Sequence, residues 1–115
     1  MKNEKRQNTR VSVHFDVFIY MHGEKIPVQT WNLSMRGLQC SADKTFNEGE
    51  ACTVVFVLSQ EITFQIQGII LRTGTRDAGI RFESMEGESF LHLKRLVQYN
   101  TDDPDKIEDE LAWHL

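Results

Sequence analysis

The sequence predicts a mainly β fold: a small six-stranded antiparallel β-barrel with a C-terminal helix and a short extra helical tail. Three observations carry this expectation. From Val11 to Met21 every second residue is apolar, the period of a strand with one buried face. Five further short segments, most rich in β-branched and aromatic residues, follow at close spacing with turn residues between them, as in small barrels. Only beyond residue 84 does the apolar period become helical, at Phe90, Leu93, Leu96 and Val97.

In the first strand Val11, Val13, Phe15, Val17, Ile19 and Met21 alternate with Ser12, His14 and Asp16. His22-Gly23-Glu24 reads as a hairpin turn. The second strand runs from about Ile26 to Asn32, with Pro27 near its start, where a missing donor is tolerated. Trp31 points to the face opposite Asn32, which predicts core or helix packing, with ligand stacking as the alternative. A structured turn, Asn32-Leu33-Ser34-Met35-Arg36-Gly37, leads to a third strand at Leu38–Ser41.

Asn47-Glu48-Gly49-Glu50 turns the chain into the fourth strand, Ala51–Leu58, whose Val and Phe content predicts burial on both faces. The fifth strand is Ile62–Arg72. Gly68 marks a bulge within it, because the apolar phase slips from Ile62, Phe64 and Ile66 to Ile69 and Leu71. Thr73–Ala78 turns into the sixth strand, Gly79–Phe82, and Arg72 and Arg76 flank that hairpin as surface residues. Ser84 is placed to cap the helix. Asp103-Pro104 opens a second short helix, marked by Ile107, Leu111 and Leu115, where Trp113 is expected to dock on the domain or on a partner.

The 115 residues fit one domain in three parts. Residues 1–10 form a basic arm, with Lys2, Lys5, Arg6 and Arg10 against Glu4; polar and without periodicity, it is expected to be flexible. Residues 11–99 form the barrel and its helix. Residues 100–115 form an acidic helical tail, with Asp102, Asp103, Asp105, Glu108, Asp109 and Glu110 against Lys106.

A net charge of −4 argues against binding duplex nucleic acid. The longest apolar run, Val54–Leu58, is too short for membrane insertion. The N-terminal charges have no apolar stretch behind them, so a cytoplasmic location is expected. Cys40 and Cys52 are expected to be buried thiols. There is no phosphate-binding Gly-rich loop, no Gly-x-Ser-x-Gly and no His-Glu-x-x-His. His14, His22, His92 and His114 lack ligand spacing, and His92 is expected on the helix surface. The expectation is a binding module, not an enzyme, with no metal and no cofactor.

Two motifs remain: Arg6-Gln7-Asn8-Thr9-Arg10 just before the first strand, and Asn32-Leu33-Ser34-Met35-Arg36-Gly37 after the second. Alone, each is ordinary: a basic arm contains arginines, and turns prefer Asn, Ser and Gly. Their internal spacing and their order around the first hairpin are more specific.

On these residues the sequence resembles the PilZ domain family of cyclic di-GMP receptors, which pairs an Arg-x-x-x-Arg segment with a later [Asp/Asn]-x-Ser-x-x-Gly turn. The matching positions are Arg6, Arg10, Asn32, Ser34 and Gly37, and Gly79-Ile80-Arg81-Phe82 is similar to the family's closing strand. The resemblance covers about residues 4–99. It implies a six-stranded barrel with a helix, cyclic di-GMP as ligand, and a downstream protein partner reached by a change of shape or surface.

The residue chemistry suits that ligand. An arginine pairs bidentately with phosphate oxygens or with guanine O6 and N7, and its flat face stacks on a base. The Asn32 amide can read a guanine edge. Ser34 can bond the ligand or brace its own turn. Gly37 is expected either at positive φ or where the ligand approaches closely. Lys5, Arg36 and Arg81 are additional candidates, and Lys5 leaves one or two ligand molecules per site open. Two rival readings stand beside this one. The first is a single-stranded nucleic-acid-binding barrel, disfavoured by the charge of −4. The second is a ligand-free adaptor of the same family, disfavoured by the intact motifs.

Overall fold

The computed structural model describes residues 16–99. The basic arm, Val11–Phe15 of the expected first strand and the acidic tail with its expected second helix therefore lie outside the described residues. Seven strands precede one helix: β1 (Asp16–Met21), β2 (Glu24–Val28), β3 (Thr30–Leu33), β4 (Gly37–Ser41), β5 (Ala51–Val57), β6 (Thr63–Thr73), β7 (Asp77–Ser84) and α1 (Gly87–Tyr99). They form one antiparallel sheet in the order β2-β1-β5-β6-β7-β4-β3.

The mainly β architecture with a C-terminal helix is as expected, but the count is seven rather than six. The segment Ile26–Asn32 is two strands, separated by Gln29 alone. The Gln29 carbonyl accepts from Ser41 N at 2.8 Å, and Gln29 N donates to Ser41 Oγ at 2.9 Å. The backbone thus leaves β1 for β4 at this residue. β2 and β3 stand at opposite ends of the strand order, so one bent segment supplies both edges of the sheet. The sheet curls until its edges join through Gln29, yet no ladder pairs β2 with β3 among the described residues. It is not the closed barrel that the pattern predicted.

Local chemistry explains the turns. His22 and Gly23 have φ of 55° and 76°, and Met21 pairs with Glu24; both central residues of this two-residue hairpin lie at positive φ, as its tight twist requires. Pro27 sits in the edge strand β2, where its missing donor does least harm. In β5, Val54, Val55 and Phe56 are buried in succession, in agreement with the expected two-sided burial.

The bulge at Gly68 is present, but the apolar phase does not slip. Gln67 pairs with Ser84 and Gly68 with Phe82, so the extra residue, Glu83, belongs to β7. β6 keeps its own alternation through Ile70, with Phe64, Ile66, Gly68 and Ile70 all facing inward, and breaks it only at Leu71, the extra residue of a second bulge. A Cβ on Gly68 would lie 2.9 Å from Ile80 Cγ2 and 3.0 Å from the Arg81 carbonyl oxygen. Glycine here lets Ile80 enter the core.

The core gathers these inward faces with Leu33, Leu38 and Cys40 from β3 and β4 and Leu93 and Val97 from α1. Phe56 stacks on Phe64 at 4.6 Å and meets Phe82 edge-on at 6.4 Å, both favourable aromatic geometries. Ser84 does not cap the helix. It ends β7, and the first helical turn closes from Phe90 N to the Glu86 carbonyl at 2.9 Å. His92 is not simply a surface histidine, since its ring stacks on Phe64 at 5.3 Å. Trp31 is not a core residue. The β3–β4 register shifts between Thr30 and Asn32, which leaves Trp31 as the unpaired bulge residue, 37% exposed. Cys40 and Cys52 are free and buried. No helix among the described residues is long and apolar enough to cross a membrane.

Candidate ligand-binding groove

The turn between β3 and β4 is pinned at both ends by the buried cross-strand pair Leu33 and Leu38. Inside it Ser34 N donates to the Gly37 carbonyl at 2.9 Å. Ser34 Oγ accepts from Arg36 N at 3.1 Å and donates to the Gly37 carbonyl at 3.4 Å. Ser34 is buried, and of the two roles open to it, these bonds show it bracing its own turn. The Arg36 carbonyl accepts from Phe82 N at 2.8 Å, which fastens the turn over β7.

Gly37 does not have positive φ; among the described residues the left-handed glycines are Gly23 and Gly49. It opens β4 opposite Arg81 of β7, and its backbone packs directly against Ile80. The absent side chain serves strand approach within the protein.

Asn32 faces outward beside its cross-strand neighbour Gln39. Its Nδ2 donates to Gln39 Oε1 at 2.7 Å, and Gln39 Nε2 donates to Asp77 Oδ2 at 2.6 Å. Arg72 completes the chain, donating to Asp77 through Nη2 at 2.9 Å and Nη1 at 3.4 Å. The Arg72 bond, and after it the Gln39 bond, hold the Asp77 carboxyl below the usual carboxylate range. The same pairing pushes the Arg72 guanidinium further up. Arg81 pairs with Glu83 Oε2, at 2.8 Å from Nη2 and 3.0 Å from Nε.

These residues enclose an open groove of about 320 Å³. Asn32, Ser34, Arg36, Gly37, Gln39, Arg72 and Arg81 line it, and Leu71, 56% exposed, adds an apolar surface. Guanidinium groups, side-chain amides and an exposed apolar patch in one concavity suit a ligand that combines negative charge with a planar hydrogen-bonding edge. Among the described residues no group of three or more His, Cys, Asp or Glu could hold a metal ion.

The fold brings Asn32, Ser34 and Gly37 of the turn motif, and the additional candidates Arg36 and Arg81, to one groove. Lys5, Arg6 and Arg10 lie outside the described residues. The sequence reading missed Gln39, Leu71, Arg72 and Asp77. Gln39 carried a signal, as a polar residue alternating between Leu38 and Cys40. Arg72 carried none, because its place in the groove depends on pairing between distant strands.

A family profile, the PilZ domain, matches residues 4–99. Several solved structures share the fold. The PilZ domain of YcgR from Escherichia coli, solved with c-di-GMP, superposes with a TM-score of 0.68 at 14% identity, over 84% of this chain and 92% of that one. The PilZ domain of CeSA from a cellulose-synthesizing bacterium gives 0.64 at 16%, over 76% and 93%. The Bacillus subtilis inhibitor of motility MotI/DgrA gives 0.65 at 19%, over 85% of this chain, which spans 50% of MotI/DgrA. No curated protein sequence matches.

Proposed function

Because the chain belongs to the PilZ domain family, we propose that it is a cytoplasmic receptor for cyclic di-GMP that signals to a protein partner and performs no catalysis. One observation carries this reading: the Asn32-x-Ser34-x-x-Gly37 turn forms the wall of an arginine-lined groove, within a family match that also takes in Arg6 and Arg10. The YcgR domain of the same fold was solved with c-di-GMP, which favours that ligand for the groove here.

In this reading Asn32 meets a guanine edge, and Arg36 or Arg81 meets a phosphodiester. Arg6 and Arg10 close over the ligand from the N-terminal side, by bidentate bonds and by stacking. Ser34 and Gly37 act through the shape of the turn. Recruitment of the arm changes the surface around the groove, and that new surface is what a partner protein reads. Lys5, next to Arg6, extends the charge available to one or two ligand molecules.

Calorimetric titration with cyclic di-GMP, single-stranded DNA and GTP tests the proposal. Saturable binding of cyclic di-GMP alone is expected. A preference for single-stranded DNA would transfer the groove to nucleic-acid binding, and no binding at all would leave a protein adaptor.

A further inference from the structure

Asn32, Gln39, Gly79 and Arg72 form one cross-strand row over β3, β4, β7 and β6. Gly79 leaves the middle of the row clear. A Cβ there would already touch Arg72 Cγ at 3.5 Å and Nε at 3.7 Å, so the long Arg72 side chain crosses the glycine to reach Asp77. Four side chains are thereby joined in series: Arg72 to Asp77, Asp77 to Gln39, Gln39 to Asn32.

We propose that Gln39, held by Asp77 and Arg72, is a positioning residue that fixes which end of the Asn32 amide, acceptor or donor, meets the ligand, and thereby sharpens the preference of the groove for guanine over adenine. This rests on reading the groove as a cyclic dinucleotide site.

The direction of each bond follows from donor and acceptor chemistry. An amide can turn over and exchange its donor for its acceptor, but an ionised carboxylate can only accept. The Gln39 atom 2.6 Å from Asp77 Oδ2 must therefore be Nε2. Its Oε1 then faces Asn32, so the Asn32 atom 2.7 Å away must be Nδ2. Asn32 Oδ1 is thereby fixed on the side of the amide away from Gln39, and Asn32 lines the groove with Oδ1 as acceptor and the second Nδ2–H as remaining donor, in a fixed order. Arg72 holds Asp77 through two nitrogens, so the carboxylate cannot rotate without losing both bonds.

The orientation of this amide is a choice of base. The Watson–Crick edge of guanine carries adjacent N–H donors and needs an acceptor. Adenine has an acceptor at ring N1 and a donor at its 6-amino group, so a base held in the guanine position would set N1 against Asn32 Oδ1, acceptor to acceptor, and could reach the oxygen with its amino group only by shifting. An unpaired polar group in a bound site discriminates more strongly than a missing apolar contact.

The test is the ratio of affinities for cyclic di-GMP and cyclic di-AMP, measured on the full chain. Gln39→Leu frees the Asn32 amide to turn, and the preference for the guanine ligand should fall roughly tenfold. Asp77→Ala keeps Gln39 in the sheet and tests the relay from its other end, with the same direction expected. In an Asn32→Asp background both side-chain oxygens accept, so adding Gln39→Leu should leave the ratio unchanged. A role in packing alone would weaken both ligands equally. An unchanged ratio in Gln39→Leu and Asp77→Ala, with the parent protein still binding cyclic di-GMP, overturns the relay and leaves the reading of the groove intact. Failure of the parent protein to bind cyclic di-GMP overturns both.

Discussion

Gly37 of β4 lies against Ile80 of β7 with no room for a side chain: a Cβ on Gly37 would overlap the Ile80 carbonyl oxygen and sit 3.3 Å from Arg81 Cα. Both contacts are backbone and cannot swing away. Gly37→Ala should therefore force β4 and β7 apart and destabilise the domain by about 1–3 kcal/mol, with binding lost alongside. Asn32→Ala removes a groove contact and one side-chain hydrogen bond, so its stability should fall by about 1 kcal/mol or less. Urea midpoints beside calorimetric affinities separate the two. Equal midpoints for parent and Gly37→Ala would refute the packing role.

The arginines of the N-terminal motif should behave in the opposite way. If Arg6 and Arg10 form charge-assisted bonds to the ligand, each alanine variant should weaken cyclic di-GMP binding by about 1.5–3 kcal/mol, roughly 10- to 150-fold. The urea midpoint should stay put, because both precede the strand pattern that begins at Val11. An Arg6→Ala, Arg10→Ala double variant with parental affinity would remove them from the site.

The legible parts of this molecule were those written in local order. Period-two alternation located the β1 face, and Asn32, Ser34 and Gly37 marked a turn from their own chemistry. What failed depended on partners far along the chain. Ile26–Asn32 reads as one continuous strand, and only Ser41, 12 residues on from Gln29, draws the backbone aside at the corner. Trp31 obeys alternation until the register with β4 slips and turns it outward. Gly37 could be recognised as a residue that must be glycine, but the reason lies on β7, more than 40 positions away in sequence. Gln39, Asp77 and Arg72 become a unit only when β6, β7 and β4 lie side by side.

The two thiols give a prediction in the alkaline range. Burial pushes Cys40 up to about 12, with Cys52 and Asp77 adding to the shift, and burial pushes Cys52 up to about 11. A raised pKa in the folded state means that the stability tied to the neutral thiols is complete below the ordinary thiol pKa. It is lost as pH rises through 11 to 12. At pH 8 both should resist a disulfide reagent such as DTNB and react promptly in urea, because the thiolate is the nucleophile. Fast labelling of the folded protein at pH 8 would contradict their burial.

Asp77 gives the acid counterpart, with the opposite sign. Its pKa is lowered from 3.8, first by Arg72 and then by Gln39. A carboxylate with a depressed folded-state pKa stabilises the native protein above its unfolded value, and that contribution disappears as pH falls through the folded value. Asp77→Asn should therefore be less stable than the parent at pH 7. The gap should narrow only below 3.8, where the parent carboxylate also takes up a proton. Protonation also ends the acceptor-only character of Asp77, so Gln39 Nε2 loses its fixed partner, and the Asn32 amide loses its orientation in the same window. Urea midpoints of both proteins at pH 7, 5 and 3 follow the first effect. The ratio of cyclic di-GMP to cyclic di-AMP affinity over the same series, taken where the parent is still folded, follows the second. A stability gap independent of pH would mean that the Arg72–Asp77–Gln39 chain contributes through shape rather than charge.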